Sequence, residues 1–147
     1  GGKPAIQDGV AGGPVLVRDG HRVLDLEAED FIPGVPPATF SGDETFDRNL
    51  LPRLAAGRTA NHEVVFAAVD GRNFTRALGL TLRDTSKVMV ALGCMDAVNL
   101  DGGSSKRMAL QGEVLDLPTT EVVGDEAEPE GEPPVRPVHT GIFVFQE

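Results

Sequence analysis

The stretch Asn99-Leu100-Asp101-Gly102-Gly103-Ser104-Ser105 sets a carboxylate at the mouth of a Gly-Gly turn, with two hydroxyls after it. That grouping suits two kinds of chemistry. The carboxylate can stabilise developing positive charge or handle a proton, and the glycines let a ligand approach the backbone. The amides and hydroxyls of Gly102, Gly103, Ser104 and Ser105 can hold a phosphate or a sugar, because successive N–H groups in a turn form an anion-binding nest. Taken alone, the pattern equally fits any strand that ends in an Asp-Gly turn. A second tip of the same kind, Asp70-Gly71-Arg72, closes the run Glu63-Val64-Val65-Phe66-Ala67-Ala68-Val69. If the two strands pair, Asp70 and Asp101 become neighbours and could divide the roles of base and nucleophile.

The elements that must hold these tips are marked in the sequence. Cys94–Leu100 is short and apolar and reads as a buried strand; Glu63–Val69 is β-branched and reads as a strand buried on both faces. Between them, Thr81-Leu82-Arg83-Asp84 is a helix start, with Thr81 as N-cap and Asp84 in a weaker form of the capping box. Leu82, Thr85, Met89 and Leu92 make one side of that helix, and Gly93 ends it. Strand, helix and strand form a crossover unit, right-handed if the strands are parallel.

Hairpins are expected around Asp19-Gly20, over Pro14–Leu24, and around Gln111-Gly112, over Arg107–Leu117. Residues 29–52 are rich in Pro, Gly and Asp, with Phe31, Phe40 and Phe46 among them. They read as an ordered loop pinned by aromatics, with room for a short helix near Phe46–Leu51. Residues 118–134 are acidic and proline-rich and read as a mobile loop without core contacts. Gly141-Ile142-Phe143-Val144-Phe145 is the strand expected to close the sheet. The expected fold is one α+β domain over residues 1–147, a mixed β-sheet with hairpins and at least one packed crossover helix.

Charge and composition narrow the partners. At 147 residues and a formal charge of −10, the chain is long enough for a real core and too acidic for nucleic acid or an anionic membrane surface. Much of the acidity falls between Glu121 and Glu132, so Arg58, Arg72, Lys106 and Arg107 remain able to line a positive site. Without Trp or Tyr, the core must come from Val, Leu, Ala and Phe. The single cysteine, Cys94, reads as a small buried hydrophobe. His21, His62 and His139 match no zinc spacing; no cofactor motif is present, and the loop carboxylates leave calcium open without EF-hand spacing to support it. No run approaches a membrane span, and the Gly1-Gly2-Lys3 start reads as internal or processed.

The order of these pieces is more specific than any one of them. Gly12-Gly13-Pro14-Val15-Leu16 with Asp19-Gly20 comes first, then Arg58-Thr59-Ala60, Asp70-Gly71-Arg72, Gly79-Leu80-Thr81, Asn99 to Ser105, and Arg136-Pro137-Val138. This sequence resembles the phosphodiester glycosidase family over most of its length. It departs from the family pattern in three ways: it begins just before Gly-Gly-Pro, Ser104 stands where a third glycine is usual, and the Asn61–Glu63 link is short.

The resemblance implies a secreted, cell-surface or periplasmic hydrolase. Its substrate would be a sugar phosphodiester such as an N-acetylglucosamine-1-phosphodiester, split between the anomeric carbon and the phosphate. It implies Asp101 and Asp70 as the catalytic carboxylates. Arg58 and Arg72 would clamp phosphate, with Thr59, Asn99, Gly102, Gly103, Ser104, Ser105 and Arg136 binding or bracing around them. The departures keep two alternatives in view: a non-catalytic carbohydrate-binding or assembly module, and half of an enzyme completed by a second chain. A homo-oligomer is a further expectation.

Overall fold

A computed structural model of the chain describes residues 9–29, 49–73, 75–117, 119, 138 and 141–145. Strand β1 (Val15–Arg18) turns at Asp19 and Gly20 into β2 (His21–Arg22), as the Asp-Gly pair requires. Both turn residues have positive φ, 50° and 75°, the geometry whose twist matches a two-residue hairpin. Strands β3 (Arg53–Thr59) and β4 (Val64–Val69) form a second hairpin, and β5 is Cys94–Leu100. The five make one sheet in the order β2-β1-β5-β3-β4, with every neighbouring pair antiparallel. A separate small hairpin, β6 (Ala109–Leu110) and β7 (Glu113–Val114), turns at Gln111 and Gly112.

The helix α1 (Leu82–Ala91) lies between β4 and β5 in the chain. Thr81 caps it: its hydroxyl oxygen accepts from the Asp84 N–H at 3.0 Å, and its O–H donates to the Asp84 carboxylate at 2.9 Å. Leu82, Thr85 and Met89 are buried, as their spacing requires. Leu92, expected on the same stripe, is instead the half-exposed C-cap, because the helix has already ended before Gly93 turns the chain at φ 81°. Removing the cap should weaken the fold modestly. Thr81→Ala is expected to cost about 1 kcal/mol in a denaturant titration, and no loss would show that the cap is redundant.

Leu82 and Met89 join Leu16, Val17, Ala55, Cys94 and Ala97 in the core, with Leu24, Leu26, Val65 and Ala67 packed around it. Full burial of an apolar side chain of this size contributes roughly 1.5–3 kcal/mol, so α1 is held chiefly by these contacts. Cys94 is 2% exposed and unpaired, and burial raises its thiol pKa, in keeping with a packing role.

Three expectations change. First, β4 and β5 do run parallel, since each is antiparallel to β3, but β3 lies between them and they do not pair. Second, β4 is an edge strand among the described residues, only half-buried along its length, with Val64 66% exposed. Third, Gly141–Phe145 pairs with no strand among the described residues: Ile142, Phe143, Val144 and Phe145 are all exposed. Its apolar run had the composition of a strand but has no paired neighbour among the described residues. The Pro- and Phe-rich segment falls largely outside the described residues. Of the 118–134 stretch only Thr119 is described, and it is buried.

Candidate functional site

Strand register decides which candidates meet. Leu54 pairs with Leu100 and Arg53 with Val69, so the C-terminal ends of β5 and β4 flank the beginning of β3. Asp101 follows β5 there, and Asp70 and Arg72 follow β4. The two carboxylate-bearing tips share one end of the sheet but sit two strand spacings apart, about 10 Å between backbones. They are therefore not adjacent, as direct strand pairing would have made them.

Arg58 and Thr59 lie at the other end of β3. Arg58 is five positions on from Arg53, roughly 16 Å of extended chain. The Arg58 guanidinium donates to Asp96 at 2.7 Å and lies 3.1 Å from the His62 ring, and it holds the Asp96 carboxyl below the usual aspartate range. Thr59 ends β3, and its hydroxyl accepts from the Glu63 N–H across the β3–β4 turn. An open trough of about 590 Å³ lies at this end too, with Val15, Ala56 and Val98 in its lining beside Arg58 and Asp96. The structure thus separates Arg58 and Thr59 from Asp101. Arg136 lies outside the described residues.

The glycine turn is shaped by close approach. A side chain on Gly102 would meet the Pro52 carbonyl oxygen at 2.6 Å, so only glycine lets the turn lie against β3. Gly103–Ser105 then forms a single 3₁₀ turn. The Gly103 N–H donates to Pro52 O and the Ser105 N–H to Gly102 O, both at 3.0 Å. Those two amides are therefore taken up inside the fold, which narrows the expected anion nest. Ser104 is buried and Ser105 half-buried. Asn99 braces the sheet: its side-chain amide donates to Gly13 O at 3.1 Å, while its buried side-chain oxygen has no partner among the described residues.

The remaining charges differ sharply in their surroundings. Asp101 is exposed, and its side chain makes no hydrogen bond or ion pair to the described residues. The half-buried Arg72 has φ 47°, and its backbone N–H donates to Leu78 O, while its guanidinium has no partner among the described residues. Asp70 is anchored instead, with one oxygen accepting from Lys106 Nζ at 2.6 Å and from the Leu117 N–H at 2.9 Å.

Lys106, visible in the sequence only as one of several basic residues, is wholly buried and also contacts Asp116 at 2.9 Å. Asp116 in turn pairs with Arg107 at 3.1 Å and accepts from the Met108 N–H at 2.6 Å. Arg53 was missed altogether. It heads β3 at 2% exposure, and its guanidinium donates to Leu80 O and Asn49 O, fastening the loops beside Asp101. Its one local signal was position, an arginine at the head of an apolar strand.

Asp116 predicts an acid limb of stability. Burial alone would raise its pKa, but the Met108 N–H, Lys106 and Arg107 outweigh that and lower it. Its contribution is complete above the ordinary value of 3.8 and is lost as pH falls through the lower folded value. Acid unfolding followed by circular dichroism should be shallower in Asp116→Asn than in wild type below about pH 4. Identical slopes would show that this carboxylate does not govern the limb.

No three His, Cys, Asp or Glu side chains among the described residues converge as a metal site. No described helix is long and apolar enough to cross a membrane.

An α+β sheet with carboxylate-bearing tips at one end, beside a glycine turn closed on β3, is the framework this chain presents. The phosphodiester glycosidase family model matches residues 2–145, and the chain belongs to that family. It is 36% identical over 64 residues to the SPbeta prophage-derived uncharacterized protein YomE of Bacillus subtilis, a match covering 44% of this chain and 10% of YomE. A hypothetical protein from Synechocystis superposes with a TM-score of 0.53 at 30% identity, covering 71% of this chain and 17% of that one. The catalytic domain of zebrafish N-acetylglucosamine-1-phosphodiester alpha-N-acetylglucosaminidase, auto-inhibited by its pro-peptide, gives a TM-score of 0.56 at 23% identity. That match covers 74% of this chain and 34% of the zebrafish chain, and it supports the fold alone. The chain thus spans only a minor part of each of these relatives.

Proposed function

We propose that this chain is a hydrolase acting on sugar phosphodiesters, breaking the bond between the anomeric carbon and the phosphate oxygen. The observation that supports the reading is that Asp101, Asp70 and Arg72 follow strands ending at the same end of the sheet, the end that carries the Gly102-Gly103 turn. In such a cleavage the sugar develops oxocarbenium-like positive charge, which a nearby carboxylate stabilises. Asp101, without a protein partner among the described residues, takes that role. The departing phosphate is already a good leaving group, so a guanidinium that neutralises it serves better than a strong acid. Arg72 takes that part, and Arg58, bound to Asp96 at the far end, does not. Asp70 supplies the second carboxylate.

N-acetylglucosamine-1-phosphodiesters are the substrate class that the family supports, and action outside the cytosol is the setting it implies. A carbohydrate-binding module without turnover is the second reading. The amides of Gly103 and Ser105, already engaged with backbone carbonyls, favour it. Incubating the protein with α-linked sugar-1-phosphodiesters, UDP-N-acetylglucosamine among them, separates the two. Release of free sugar together with the phosphorylated remainder supports the hydrolase. Saturable binding without release supports the module.

A further inference from the structure

We propose that Lys106 is a positioning residue for Asp70, an inference that rests on the hydrolase reading above. Its ammonium is fully buried and lies between two carboxylates, 2.6 Å from Asp70 and 2.9 Å from Asp116. A buried lysine is costly unless paired, and this one is paired twice. The three residues come from separate parts of the fold: Asp70 from the tip of β4, Lys106 from just after the glycine turn, and Asp116 from just after β7. One ammonium therefore ties the glycine turn, the β6–β7 hairpin and the β4 tip together.

The bonding at Asp70 is one-sided. Lys106 and the Leu117 N–H both engage Oδ1, while Oδ2 has no partner among the described residues and the side chain is 31% exposed. Lys106 thus fixes the carboxylate in one rotamer and leaves its second oxygen for a ligand. Arg107 bonds to Asp116 and to the Lys106 carbonyl oxygen but not to Asp70, so Lys106 is the cation that contacts Asp70 directly among the described residues. Fixing a reacting carboxylate in advance removes the ordering cost from the reaction itself.

The Leu117 amide reports on Asp70 whether or not a reaction occurs. Lys106→Met alone strands two carboxylates and endangers folding, so Lys106→Met/Asp116→Asn is the working variant and Asp116→Asn its comparator. In the double variant, Leu117 amide exchange should accelerate by about tenfold or more while amides of β3 and β5 keep their protection. With a turned-over phosphodiester, kcat should fall on the order of a hundredfold with KM changed by less than about threefold.

Unchanged Leu117 exchange overturns the proposal. So does faster exchange with kcat equal to that of Asp116→Asn, since the fixed rotamer would then not serve the reaction. Absence of turnover in wild type defeats the hydrolase reading instead. Leu117 exchange then still decides whether Lys106 holds Asp70.

Discussion

Asp101→Ala should lose turnover by at least about a hundredfold to a thousandfold, with its thermal midpoint within about 2 °C of wild type. The two halves of that expectation have separate causes. Asp101 follows the end of β5, is exposed, and its side chain bonds to no described residue, so its removal breaks no contact among the described residues. Its whole value lies in the charge it presents beside the glycine turn. Asp70→Asn should behave differently. It weakens the bond to a buried lysine and to the Leu117 N–H, so lost activity and lost stability should appear together. Measuring initial rates and thermal unfolding for both variants distinguishes a carboxylate present for chemistry from one that also holds structure. Full activity in Asp101→Ala would remove the central assignment.

The second large effect is structural. Gly79→Ala should destabilise the fold by roughly 3 kcal/mol or more, as strained backbone and overpacking combine. Gly79 has φ 106°, a conformation that side chains rarely tolerate, and an added Cβ would run into the Leu51 carbonyl. The same segment is bracketed from the other side, since a Cβ on Gly71 would meet Pro52 N at 2.5 Å. Leu51 and Leu80 bridge each other through N–H···O bonds of 3.2 and 3.0 Å, and Arg53 ties the same loop through Leu80 O. Gly79→Ala therefore dislocates the start of β3 and, through Pro52, the seat of the Gly102-Gly103 turn. Urea unfolding reads the loss directly. An unchanged midpoint would mean that this loop yields without cost.

What was legible in the sequence was local. Asp19-Gly20 and Gln111-Gly112 named their hairpins because a two-residue turn needs positive φ at both positions. Thr81, Asp84 and Gly93 marked the two ends of α1, and the apolar run Cys94–Leu100 marked β5. The order of short motifs identified the family.

Long-range pairing was not legible. Nothing in Glu63–Val69 or Cys94–Leu100 says that β3 inserts between them, and that insertion is what parts Asp70 from Asp101. Strand length likewise hid the distance to Arg58, which the seven residues of β3 carry to the far end while Arg53 stays at the near one. Lys106 was hidden for a similar reason. Beside Ser104, Ser105 and Arg107 it has the surroundings of a surface lysine, and its burial depends on Asp70, 36 residues away.

The measurement that bears most directly on the proposed chemistry is hydrolysis of an α-linked N-acetylglucosamine-1-phosphodiester in water enriched with heavy oxygen. Cleavage between the anomeric carbon and its oxygen places the label in the released sugar and leaves the phosphate unlabelled, which is the predicted result. Label in the phosphate would mean attack at phosphorus. That outcome would contradict a glycosidase mechanism and the sugar-side role given to Asp101.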